Sequence, residues 1–191
     1  MYKAVIFILI VLGVGNVQGS IVEFNDDWVI HEGDDYDEVY IYDEATVGMT
    51  GGEVWKLYSN DSSTFNLFDG VVYWLRAYDS STINIYGGSI DRLLGIGDSS
   101  VVNLFGGQVA TDVVMSDSGT LKIYGYGFEY RPAGPGSGWL SGYWLDGTAF
   151  SEMYLRDLPE LFPGSHVVLI PEPTTLLLLA LGGAIIRRRT T

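Results

Sequence analysis

The sequence predicts an all-β protein built on a parallel β-solenoid of about five to six coils, each 18–19 residues long. Three observations carry this reading. A ten-residue motif recurs as DSSTFNLFDG (61–70), DSSTINIYGG (79–88) and DSSVVNLFGG (98–107), with drifted copies DEATVGMTGG (43–52) and DSGTLKIYGY (117–126). The leading aspartates lie 18, 18, 19 and 19 residues apart. Within each copy, apolar and polar residues alternate with the period of two that marks a half-buried strand. Finally, glycine and Asp-Ser steps interrupt the chain every nine or ten residues, too often for helices. Repeats that cannot bury an apolar face alone stack on their neighbours, about 4.8 Å apart. An antiparallel sandwich is the rival architecture, but its hairpins do not ordinarily yield matched side-chain columns.

Taken in order, residues 1–19 read as a signal peptide: Lys3 is the positive region, 4–14 the apolar core, and Val17-Gln18-Gly19 the small-residue cleavage site. Export is the expectation. The chain has no cysteine, so neither disulfides nor thiolate chemistry enter. Residues 20–170 hold 23 acidic and six basic side chains, a net charge of −17 that repels nucleic acid and anionic lipid.

The solenoid is assigned to 20–126. In the first strand of each coil, Phe65 and Leu67, Ile83 and Ile85, Val102 and Leu104, and Leu121 and Ile123 share one face. The opposite face carries Thr64, Asn66 and Phe68, then Thr82, Asn84 and Tyr86, then Val101, Asn103 and Phe105. The second strand buries Val54 and Leu57, Val72 and Leu75, Ile90 and Leu94, and Val109 and Val113; their uneven spacing predicts a bulge or bend. Aligned asparagines 66, 84 and 103 are expected to hydrogen-bond along the stack. Lys122, at the fourth position of that column, puts it on the outside, because an unpaired buried lysine is costly. The repeated aspartates mark a turn, with each carboxylate expected to accept from the N–H groups of the following two serines. Residues 26–38 hold seven carboxylates; calcium through oxygen ligands is chemically reasonable, yet no established loop spacing is present, and a charge-protected edge is the preferred reading.

Residues 127–169 are expected to form a small β cap, since an open solenoid end invites edge pairing. It comprises an aromatic strand at 126–130, a Gly/Pro-rich loop at 132–138, a hairpin around Asp146-Gly147, and a last strand at 166–170.

The tail, 170–191, combines Pro171-Glu172-Pro173, a 13-residue apolar run (174–186) and Arg187-Arg188-Arg189. The run is short for a spanning helix, which needs about 17–25 residues. These three ordered elements resemble the C-terminal sorting signal of the PEP-CTERM family of exported bacterial proteins. The resemblance implies recognition of Pro171, Glu172 and Pro173 by an exosortase-type membrane protease. It also implies a short transmembrane helix that anchors the precursor, and a topology set by Arg187, Arg188 and Arg189.

No phosphate loop, nucleophile elbow, zinc-protease helix or calcium loop is present in the sequence. His31 and His166 fall in different modules and read as structural. Asp91, Asp112, Arg76 and Arg92 are the only set a β-helix polysaccharide lyase would draw on, and drift on a solvated face explains them better. Phe68, Tyr86 and Phe105 form an outward column suited to glycan contact or to ladder stacking, with Tyr58, Tyr73, Trp74 and Tyr78 on or near the other outer face. The expectation is a non-enzymatic, cofactor-free structural or adhesive protein of the cell surface or extracellular matrix. Carbohydrate binding is the alternative and a lyase the more distant one.

Overall fold

The computed structural model describes residues 20–109, 112–156 and 166–171, and there the chain is an all-β solenoid of about five turns. The signal segment 1–19, Glu172, Pro173, the apolar run and Arg187, Arg188 and Arg189 lie outside the described residues. The first strands are β1 (Ile21–Phe24), β2 (Trp28–Ile30), β3 (Asp35–Ile41), β4 (Thr46–Ser59) and β5 (Thr64–Ala77). Shorter ones follow: β6 (Thr82–Ile85), β7 (Ser89–Ile96), β8 (Val101–Leu104), β9 (Gln108–Val109) and β10 (Asp112–Met115). The last four are β11 (Thr120–Gly134), β12 (Ser137–Trp144), β13 (Ala149–Arg156) and β14 (Val167–Pro171).

Each coil passes twice across the rod. On one face β2, the first half of β4, the first half of β5, β6, β8 and the start of β11 pair in parallel. On the other, β1, β3, the second halves of β4 and β5, β7 and β10 do the same. Register places like on like: Phe65 faces Ile83 and then Val102, while Asn66 faces Asn84 and then Asn103. A one-residue slip would turn the asparagines into the core and the apolar set into water, which fixes this register. Phe65, Leu67, Ile83, Ile85, Val102, Leu104, Leu57, Leu75 and Leu94 are fully buried between the two faces.

The bend predicted in the second strand is present. Two outward residues, Tyr73 and Trp74, separate buried Val72 from Leu75, whereas three, Asp91 to Leu93, separate Ile90 from Leu94. The pairing of β5 with β7 shifts at this point, so the nineteenth residue of that coil is absorbed as a bulge at Asp91–Arg92.

The turn chemistry differs from expectation. Asp43, Asp61, Asp79, Asp98 and Asp117 all sit at φ between 51° and 59°, the left-handed region that aspartate tolerates. Their carboxylates do not cap the following serines. Ser62 N–H already donates to the Asp43 carbonyl (3.0 Å) and Ser63 N–H to the Asn60 carbonyl (3.1 Å). With those donors consumed, the carboxylates of Asp61, Asp79 and Asp98 reach back one coil. Asp43 N–H donates to Asp61 Oδ2 (3.1 Å), Asp61 N–H to Asp79 Oδ2 (3.1 Å), and Asp79 N–H to Asp98 Oδ2 (3.0 Å). The turn is therefore itself a ladder.

Beyond Gly125, β11 leaves the coil and pairs antiparallel with β12, which pairs antiparallel with β13. β13 runs parallel to β10 and β14 parallel to β11, so the last coil has a neighbour on both faces. Leu140, Trp144, Met153, Leu155 and Val167 are buried and close the end of the core. The Gly/Pro-rich loop expected at 132–138 is instead a tight hairpin: β11 and β12 pair out to Gly134 and Ser137, leaving Pro135 and Gly136 as the turn. Proline fixes φ, and Gly136 supplies φ +64°, so the density of turn residues marks a sharp reversal rather than a wide loop.

Candidate functional site

The repeat positions Phe68, Tyr86 and Phe105 form one continuous aromatic ladder, and Tyr124 extends it. Ring centroids are 5.1, 4.9 and 4.2 Å apart in sequence, the first two pairs stacked nearly parallel at 6° and 5°. The spacing follows from the strand separation, which sets rings of adjacent coils at stacking distance. Phe68 and Tyr86 are about half exposed, at 50% and 46%. Sequence reasoning named three rungs and missed Tyr124, although it holds the same position in the DSGTLKIYGY copy.

Beside the rings runs the asparagine column. Asn84 Nδ2 donates to Asn66 Oδ1 (2.9 Å) and Asn103 Nδ2 to Asn84 Oδ1 (2.8 Å). The column is half-buried and ends at Lys122, which pairs in register with Asn103 on the outer surface. An amide row next to an aromatic row offers polar groups and apolar surface along one line of the rod.

The opposite face is organised differently. Tyr40 stacks on Tyr58 at 4.8 Å, its hydroxyl donates to Glu38 Oε2 (2.8 Å), and Lys56 Nζ pairs with Glu38 Oε1 (2.6 Å). The bond to Glu38 pushes the Tyr40 phenol up to about 12, while the Lys56 hydrogen bond holds the Glu38 carboxyl below its ordinary range. Farther along, Trp55 packs against Tyr73 at 4.7 Å, and the Arg92 guanidinium lies 5.1 Å over the Trp55 ring. Tyr78 accepts from Arg76 at 3.2 Å.

Of the lyase candidates, Asp112 pairs with Arg156 (3.1 Å), Arg76 donates to the Tyr78 hydroxyl, and Arg92 lies over the Trp55 ring. In the acidic segment, Asp27 Oδ1 accepts from Thr46 N–H (2.8 Å) and Asp34 Oδ2 from His31 N–H (2.8 Å). No group of three or more metal-ligating side chains is gathered among the described residues. His31 lies near the first coil, and His166 offers its carbonyl to Leu121 N–H (2.7 Å) in the cap.

Where the ladder meets the cap there is a cleft of about 500 Å³ that the sequence did not reveal. It is lined by Tyr86 and Phe105 of the ladder, by Gly106, Gly107 and Gln108, and by the loop joining β12 to β13. Trp144 Nε1 donates to the Gly107 carbonyl (3.1 Å) and its ring packs on Phe150 at 4.6 Å, tying that loop to the solenoid. Within the loop Asp146 Oδ1 accepts from Thr148 Oγ1 (2.7 Å) and Thr148 N–H (2.8 Å). These bonds hold its carboxyl below the usual range. Comparison of the chain with protein-family models, with curated proteins and with solved structures finds no match in any of the three.

Proposed function

We propose that this chain is an exported structural or adhesive protein whose rod is displayed at the bacterial cell surface or in the extracellular matrix. The observation that carries the structural role is the in-register repetition of outward side chains. Aspartate, asparagine and aromatic columns each bond or stack from coil to coil, giving a stiff rod with an ordered face. Its role is non-catalytic, and its acidic surface disfavours nucleic acid as a partner.

Sorting is proposed from the tail. Pro171, Glu172 and Pro173, the apolar run and the three arginines resemble the PEP-CTERM signal, which makes an exosortase-type membrane protease the processing partner. Pro171 is exposed and is the last residue of β14, in register with Gly125, so the paired strand lies upstream of the rest of the tripeptide. The test is intact-mass spectrometry of protein recovered from the surface and medium of a host that carries the sorting protease. A product beginning near Ser20 and ending near Pro171 is expected. Recovery of a product that keeps Arg187, Arg188 and Arg189 overturns the sorting proposal.

Carbohydrate binding is the second reading, favoured by the aromatic ladder beside the amide row. Sugar rings place C–H faces on aromatic carbon and hydroxyls on amides. Replacing Phe68, Tyr86 and Phe105 together is expected to abolish retention on the glycan that binds.

A further inference from the structure

We infer that the cleft between the aromatic ladder and the β12–β13 loop is a binding site for an uncharged polysaccharide segment, an inference that rests on the carbohydrate reading above. Its lining combines the apolar and polar groups that a pyranose ring requires. Tyr86 and Phe105 contribute aromatic carbon to the lining, and Leu145, 42% exposed, contributes aliphatic surface. Gln108, Asp146 and Thr148 place amide, carboxylate and hydroxyl groups among them. Concave sites that mix an apolar lining with a few positioned polar groups are the usual form of a small-molecule subsite.

The cleft is pre-formed. The Trp144–Gly107 hydrogen bond and the Trp144–Phe150 contact join the loop to the solenoid turn, and the Asp146–Thr148 bonds fix the loop itself. Binding then costs little loop ordering. Charge selects the ligand class. Asp146 stays ionised at the cleft, and the domain around it carries a net charge of −17 from residues 20–170. A polyuronate or sulfated chain meets like charge there, whereas hydroxyls of a neutral glycan donate to the carboxylate.

The test titrates the full-length protein with neutral cello-, laminari-, malto- and manno-oligosaccharides, and in parallel with oligogalacturonate, reading tryptophan fluorescence and calorimetry. Three single variants are compared: Leu145→Ala and Gln108→Ala in the cleft, and Phe68→Ala on the ladder outside it. All three side chains are exposed, and an unchanged thermal midpoint verifies each fold. The expected result is binding of a neutral oligosaccharide that each cleft variant weakens by roughly tenfold, the loss of about one good hydrogen bond or apolar contact. Phe68→Ala, at the rung of the ladder that does not line the cleft, should weaken that affinity less than either cleft variant does. Weakening by Phe68→Ala alone overturns the cleft site while keeping the ladder as the glycan surface. Binding of oligogalacturonate only overturns the neutral ligand class. Absence of any sugar binding overturns both the cleft and the carbohydrate reading.

Discussion

At the scale of single residues, the positive-φ aspartates carry two tasks at once. Each occupies a backbone conformation that most side chains resist, and Asp61, Asp79 and Asp98 each also accept the N–H of the aspartate one coil earlier. Asp79→Ala removes the acceptor and leaves a strained backbone, so it is expected to cost about 1–3 kcal/mol in denaturant unfolding. Asp79→Asn keeps both an acceptor and left-handed tolerance, and should cost less than half as much. Tyr40 supplies a pH dependence. Its folded-state pKa of about 12 lies above the ordinary 10.0, so the stability it contributes is fully present below pH 10 and is lost as pH rises toward 12. Thermal midpoints measured across that window should fall less steeply in Tyr40→Phe than in the parent. Equal slopes would show that the Glu38 bond does not hold the phenol protonated.

At the scale of the element, a strand in the stack is held by its two neighbours as much as by its own sequence. β6 shows this: four residues long, it pairs with β5 on one side and β8 on the other, burying Ile83 and Ile85 and presenting Asn84. The Asn84 side chain donates a hydrogen bond to Asn66 and accepts one from Asn103. Asn84→Ala is therefore expected to cost about 1–3 kcal/mol, from two net side-chain hydrogen bonds. Leu75, fully buried in β5 between two neighbouring strands, should cost about 2–5 kcal/mol when cut to alanine, because the coils above and below prevent collapse of the cavity. If the asparagine variant proves as costly as the leucine variant, the amide ladder contributes more than its partly solvated position implies.

At the scale of the whole molecule, the stability of a stack depends on its ends. β12 and β13 cover the last coil through Trp144, which is buried and hydrogen-bonded to the Gly107 carbonyl. Trp144→Ala is expected to cost about 3–5 kcal/mol and to loosen the cap, leaving parallel strand edges open to another copy. Light scattering with analytical ultracentrifugation would detect the resulting association. A variant that stays monomeric and equally stable would mean that the other cap contacts suffice. The acidic surface acts in the same direction as the cap, since like charge keeps rods apart.

Much of this architecture was written in the repeat itself. The spacing of Asp61, Asp79 and Asp98 determined the coil length, the alternation around Phe65 and Ile83 determined which residues are buried, and Lys122 showed that the asparagine column faces out. Those features are local and periodic, so one strand's pattern constrains every copy. The tertiary structure decided what depends on contacts between coils or between modules. The aspartate carboxylates turn to the preceding coil because the serine N–H groups are already bonded, a competition no single repeat displays. The tight turn at Pro135-Gly136 depends on the pairing of β11 with β12 on either side of it. The cleft is lined by both Phe105 and Leu145, forty residues apart in the chain, and the docking of Trp144 on Gly107 ties their two segments together.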